Sequence, residues 1–280
     1  MSEAPSARIA TNGTAHWSDF VPRLLGRLGR ATRRRSSFAL RVAALGLGVV
    51  LDAVRPNSWR RPVKSEFYRA LRQTIGGGLA TSVVTATLVG IGMVYQALYW
   101  LSEAGQEGLI GSVLVTALMR LIAPVLVGLI VLGRSGMLAT AEIGVMQAGG
   151  QVHTLESQGL DPFLLLVLPR ACAFALASFT LAVAFVVLAL LSGFIFGQLV
   201  GALTISLGSL LDSVLAAMHA ADFAVFPVKM FGIGILVALT ACITGLEAER
   251  REGPARLLPR AFVRGVLAVL LASIALGLAV

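Results

Sequence analysis

Two cations stand inside otherwise apolar runs of this sequence, Arg120 within Leu109–Gly133 and Lys229 within Asp222–Gly245. A Lys or Arg at the centre of a membrane-spanning helix adds roughly 2.5–3.5 kcal/mol to the free energy of insertion. Arg120 follows Leu109 by eleven residues, about 16 Å along a helix at ~1.5 Å per residue. Lys229 follows Asp222 by seven, about 10 Å by the same rise. Charges at such depths face a protein interior or a wet cavity and seek an anion. No Asp or Glu lies well inside an apolar run. Backbone carbonyls, water with counter-ions, and a headgroup phosphate are the remaining partners. Pro124 would free the carbonyl of Arg120 for such a contact, and Lys229 could also reach toward the surface along its own stem. Arg120 and Lys229 are therefore the candidate substrate-binding pair, lining a cavity.

Other chemistry is missing. The only lysines are Lys64 and Lys229, and neither stands in G-x-x-x-x-G-K-[ST], so no phosphate-binding loop is expected. His16, His153 and His219 are scattered, without metal-ligand spacing. Cys172 and Cys242 sit in apolar runs and read as small core residues. No serine has a His/Asp frame on its own element. The expectation is a chain that is not an enzyme and binds no cofactor, with any ATP held by a partner subunit.

The elements that position the two cations are membrane helices. The 280 residues are 57% hydrophobic and 13% charged, with mean hydropathy +0.86. A soluble domain has about 25% charged residues, so an apolar solvent is required. The reading is all-α, with spans over about 75–101, 109–133, 162–201, 222–245 and 259–280. A basic, disordered tail is expected over 1–36. An interfacial helix and connector should fill 37–71, since Arg41 and Asp52 interrupt an apolar stretch too short to cross. Residues 202–221, with Asp212 and His219, read as a periplasmic or re-entrant helical segment.

Charge sets the expected orientation. Residues 1–72 hold 14 of the 23 Lys and Arg against four acids, and the remainder holds nine against ten. This favours a cytoplasmic N-terminus attracted to anionic lipid over a nucleic-acid partner. Arg250, Arg251, Arg256 and Arg260 place the last loop inside, so five spans leave the C-terminus outside. Gly193, Gly197 and Gly201 repeat at the spacing of close helix packing.

The stretch 133–170 reads Gly133-Arg134-Ser135-Gly136, Ala141-Glu142-Ile143-Gly144, Met146, Gln151, Leu155, Gly159-Leu160-Asp161-Pro162 and Pro169-Arg170. Asp161-Pro162 is a helix start, with an Asp cap and Pro at the first position. A separate cytoplasmic helix over 137–157 should precede it. This ordered pattern resembles the MlaE/YrbE-type permeases of lipid-handling ABC transporters from about residue 72 to the end. Arg120 with Pro124, and Lys229-Met230-Phe231-Gly232 followed by Cys242 and Gly245, agree with it. The sequence departs from the family pattern at Leu121, often Glu, at Gly150–Leu155, at Leu258–Arg260, and in lacking an Asp in the fifth span.

The resemblance implies an interfacial helix before five spans, and a helix over 137–157 that couples to a cytoplasmic ABC ATPase. Arg134, Glu142, Gly144, Met146, Gln151, Leu155 and Arg170 are the expected coupling residues, Glu142 being the polar anchor. It further implies a second permease copy, as homodimer or heterodimer, a periplasmic MCE-domain protein, and phospholipid or other hydrophobic cargo in a bacterial inner membrane. A non-transporting scaffold of the same fold is the alternative. A secondary transporter is a third reading, which the lack of membrane-embedded carboxylates disfavours.

Overall fold

The structure, a computed structural model, describes residues 40–55, 59–106, 109–201, 206–248 and 253–278. The expected tail over 1–36 lies outside these residues, as do Arg250 and Arg251. Residues 45–278 belong to one packed unit; of the preceding unit only 40–44 are described, and they are helical.

Every regular element among the described residues is a helix. With no water in a bilayer core, a helix satisfies its own backbone groups, which is why the long apolar runs adopt this form. We label residues 40–54 as α1, Arg61–Glu103 as α2 and Ile110–Ala148 as α3. Then follow α4 (Gln151–Ser157), α5 (Phe163–Leu199), α6 (Leu207–Ala217), α7 (Ala220–Leu246) and α8 (Pro254–Leu278). Among the described residues five helices, α2, α3, α5, α7 and α8, are long and apolar enough to cross a membrane.

Three boundaries differ from expectation. Helix α2 starts at Arg61, not near residue 75, so the connector after α1 is short. Pro62 stands in the first turn of α2, where its missing N–H breaks no helical bond. Trp59 Nε1 closes the connector by donating to the Ala53 carbonyl at 2.9 Å. Second, the helix expected over 137–157 is two. Its first part, Met137–Ala148, is the continuation of α3 rather than a separate element. The chain turns at Gly150, whose φ of +75° suits glycine, and α4 begins at Gln151. Third, α5 starts at Phe163, whose N–H donates to Asp161 Oδ1 at 2.9 Å, so the Asp161 cap holds one residue later than the expected span.

Helix α5 is the axis of the bundle, lined by α2 and α7, with α8 on the far side of α7. The α2–α5 crossing is a glycine contact: a methyl group on Gly193 would stand 2.6 Å from the Gly90 carbonyl oxygen. The α5–α7 crossing is as close, since a methyl on Gly234 would meet the Phe174 carbonyl oxygen at 2.5 Å. Beside it Ser178 Oγ donates to the Met230 carbonyl at 2.8 Å. Gly201, read with Gly193 as a packing glycine, instead ends the α5 region with φ +70°, and a methyl group there would meet nothing within 4 Å among the described residues. Helix α6 falls within the segment 202–221 and buries Leu210 and Val214 as it packs on the start of α3.

Candidate functional site

Arg120 lies in a π-helical turn of α3, Val115–Ile122, and faces the first turns of α7. Its Nη2 pairs with Asp222 Oδ2 at 2.8 Å. Asp222 is the third residue of α7, and it also accepts the backbone N–H of His219 at 3.0 Å, in a reciprocal cap of the helix start. Pro124 has no N–H to offer the Arg120 carbonyl, and Lys229 Nζ donates to that carbonyl at 2.8 Å. Lys229 is 5% exposed, and no carboxylate among the described residues pairs with it. Arg120, Asp222 and Lys229 edge an open cleft of about 70 Å³ whose other walls include Val115, Met119, Phe226 and Gly277.

The two sequence candidates are thus brought together through one backbone carbonyl. Sequence reasoning missed Asp222, which it took as the outer boundary of a span and not as a partner. The spacing His219-x-x-Asp222 is a helix-start signal, and a residue at that position can lean from the helix end toward a neighbouring helix. Arg120 therefore has a carboxylate after all, while Lys229 has only a carbonyl. An ammonium carries three donors, so the Lys229 side of the cleft is the one with capacity for a further acceptor.

A second charged cluster sits at the other end of α7, where Gly245 meets Ile143. Arg170, on α5, is nine-tenths buried, its side chain 4% exposed. Its Nη2 donates to Glu142 Oε2 on α3 at 2.9 Å and to Glu66 Oε1 on α2 at 3.2 Å. Arg69 grips Glu66 through Nε and Nη2 at 3.0 and 2.8 Å, and its Nη2 lies 3.7 Å from Glu142 Oε2. Gln73 Nε2 reaches Glu142 Oε1 at 3.5 Å.

These contacts re-sort the residues expected to couple. Arg170 is buried inside the chain, and Gly144 is buried against Leu257 of α8, so neither presents a surface to a partner. Glu142 is engaged by Arg170 rather than standing free as an anchor. Arg134 is exposed and lies across α2 at Gly77, and Gln151 is exposed on α4. Met146 and Leu155 are half-buried. A Glu142→Lys variant would set a third cation beside Arg69 and Arg170, so loss of a partner there would report a broken internal cluster. The surface of α4 is the cleaner place to probe docking.

The sequence is similar to those of known proteins. The family described as Permease MlaE matches residues 67–279. The chain is 30% identical over 193 residues to "Protein TRIGALACTOSYLDIACYLGLYCEROL 1, chloroplastic" of Arabidopsis thaliana, covering 67% of this chain and 52% of that protein. It thus spans about half of that relative's length. A "Probable ABC transporter permease protein" of Rickettsia typhi is 27% identical over 196 residues, 70% of this chain and 75% of the relative. The "Intermembrane phospholipid transport system permease protein MlaE" of Haemophilus influenzae is 28% identical over 115 residues, 41% and 44% of the two chains. Because the family match runs from the early turns of α2 through α8 and takes in Arg120, Asp222, Lys229, Glu142 and Arg170, the chain belongs to the MlaE permease family.

Proposed function

We infer that this chain is the membrane-spanning permease subunit of an ABC transporter that moves phospholipid or another hydrophobic lipid. The observation that carries the reading, beside the family, is Lys229. A buried ammonium with one carbonyl partner, at the edge of a largely apolar cleft, suits a phosphate headgroup with its acyl chains along the apolar wall. Arg120 supports the same edge from its pair with Asp222. The chain supplies no nucleotide chemistry of its own, and a cytoplasmic ATPase drives it, docking on the exposed face around Gln151 and Leu155. A second permease copy, a periplasmic MCE-domain protein and location in a bacterial inner membrane complete the proposed assembly.

Purification from native membranes through a tag on this chain tests the assignment. Mass spectrometry should find an ABC ATPase bound with it, together with phospholipid that survives delipidation. An ATP-hydrolysis rate no higher than that of the chain alone, with no such subunit, would overturn it.

The N-terminus faces the cytoplasm and the α2–α3 turn faces the periplasm, an orientation supported by the basic first 72 residues. Single cysteines at Gln106 and Gln158, both exposed, report it in a background lacking Cys172 and Cys242. An impermeant thiol reagent added outside intact cells should label position 106 and leave 158 untouched. Labelling at 158 alone would invert the orientation.

A further inference from the structure

The Arg170 cluster joins three helices through two arginines and two glutamates. Glu66 comes from the second turn of α2, Glu142 from the last part of α3, and Arg170 from the start of α5. Glu142 Oε2 has two guanidinium groups within reach, Arg170 at 2.9 Å and Arg69 at 3.7 Å. Glu66 likewise bridges both, with Arg69 at 2.8 Å and Arg170 at 3.2 Å. Arg170 Nη1 is buried with no hydrogen-bond partner among the described residues. It stands at a narrow gap with room for about one water, walled in part by Gln73, Thr74, Ser135 and Glu142.

We propose that this cluster is a two-position ionic joint, in which Glu142 passes between Arg170 and Arg69 as the end of α3 moves during the transport cycle. The inference rests on the reading that an ATPase drives this chain. Three features carry it. Both positions keep the Glu142 carboxylate paired, so the move does not strand a charge in a buried place, which is the condition for two arrangements of comparable free energy. The present arrangement leaves the Arg170 Nη1 donor without a protein partner among the described residues, so the guanidinium keeps a donor for a carboxylate that shifts. And the segment bearing Glu142 runs directly into Gly149-Gly150 and α4, whose Gln151, His153 and Thr154 are exposed and where the ATPase is proposed to dock. Displacement of α4 is thereby passed to α2 through Arg69 and to α5 through Arg170. Arg69 and Arg170 are positioning residues: they touch no cargo.

Arg69→Gln distinguishes this from a merely structural role. Its side chain is 58% exposed, and its bond to Glu66 is a surface pair three residues apart on one helix, a kind that contributes little to stability. A structural role therefore predicts no effect. The test uses the complex purified from its own membranes, placed in vesicles of phosphatidylethanolamine and phosphatidylglycerol. ATP hydrolysis and ATP-dependent removal of a fluorescent phosphatidylglycerol from the vesicles are measured together. In Arg69→Gln, transfer should fall about fivefold or more while hydrolysis stays within about twofold, the signature of lost coupling. Arg69→Lys keeps a charge near both carboxylates and should transfer at close to the wild-type rate. Transfer falling less than about fivefold in Arg69→Gln overturns the joint, and so does a parallel fall in hydrolysis or failure of the variant to assemble. A wild-type complex that holds no ATPase overturns the permease reading as well, so the two failures are told apart.

Discussion

Replacing Arg170 with methionine is expected to destabilise the chain by about 3–5 kcal/mol, the usual effect of removing one partner from a buried ion cluster. The guanidinium is 4% exposed and serves both Glu66 and Glu142. Without it the two carboxylates lose their shared buried counter-charge, and Arg69, more than half exposed, compensates only in part. Unfolding in mixed micelles followed by intrinsic fluorescence measures the loss. The triple variant Arg170→Met, Glu66→Gln, Glu142→Gln should regain most of it, because a cluster replaced whole by uncharged side chains of similar volume is close to neutral. A single variant that unfolds with the wild type would show that the pairs contribute little, and a triple no more stable than the single would show that unpaired carboxylates are not the cause of the loss. The triple variant should nevertheless fail to transport, since the exchangeable charges are gone.

Lys229→Met is expected to lower tightly bound phospholipid by about tenfold to a hundredfold, with the fold intact. A hydrogen bond to a charged group contributes about 1.5–3 kcal/mol, and each 1.4 kcal/mol is about tenfold in affinity. Stability should change little, because two effects oppose each other. Methionine relieves the burial of an ammonium that has no carboxylate partner, and it leaves the Arg120 carbonyl without the donor that Pro124 withholds. Methionine matches lysine in length, and the Arg120–Asp222 pair at 2.8 Å is untouched. This makes the variant cleaner than Arg120→Gln, which would strand the 6%-exposed Asp222. Quantitative lipid analysis of purified variant and wild type decides the matter. Equal phospholipid in a folded Lys229→Met protein would reject the headgroup contact and leave Lys229 as the donor that caps a proline-freed carbonyl.

Local chemistry made some of this legible beforehand. Pro124 forbids the α-helical partner of the Arg120 carbonyl whatever surrounds it, so an orphan acceptor beside an intramembrane cation could be read directly. What fills the vacancy could not. Lys229 is 109 residues further on, and nothing in either segment encodes the crossing that brings them together. The cap at Asp161 was readable for the same reason as the proline effect, being a bond between near neighbours. Gly149-Gly150 was readable as a weak point but not as a turn, because two glycines permit a helix and a reversal alike until φ is chosen. The internal pairing of Glu142 was hidden for a related reason: a lone Glu on a helix looks solvated, and its partners Arg170 and Arg69 lie 28 and 73 positions away.

The sequence alone determined the solvent and the helices. With 57% hydrophobic and 13% charged residues in long runs, five spans follow from the need to satisfy backbone groups without water. It also determined the family, through the ordered pattern from Gly133 to Arg170. Tertiary structure alone decided which charges meet. Membrane helices lack a hydrophobic force toward one another and associate through close small-residue contacts and polar bonds. The rotation and depth of each helix therefore depend on particular approaches, such as Gly193 on Gly90 and Gly234 on Phe174. Those approaches put Asp222 against Arg120 and Glu142 against Arg170, pairings that no periodicity within a single helix contains.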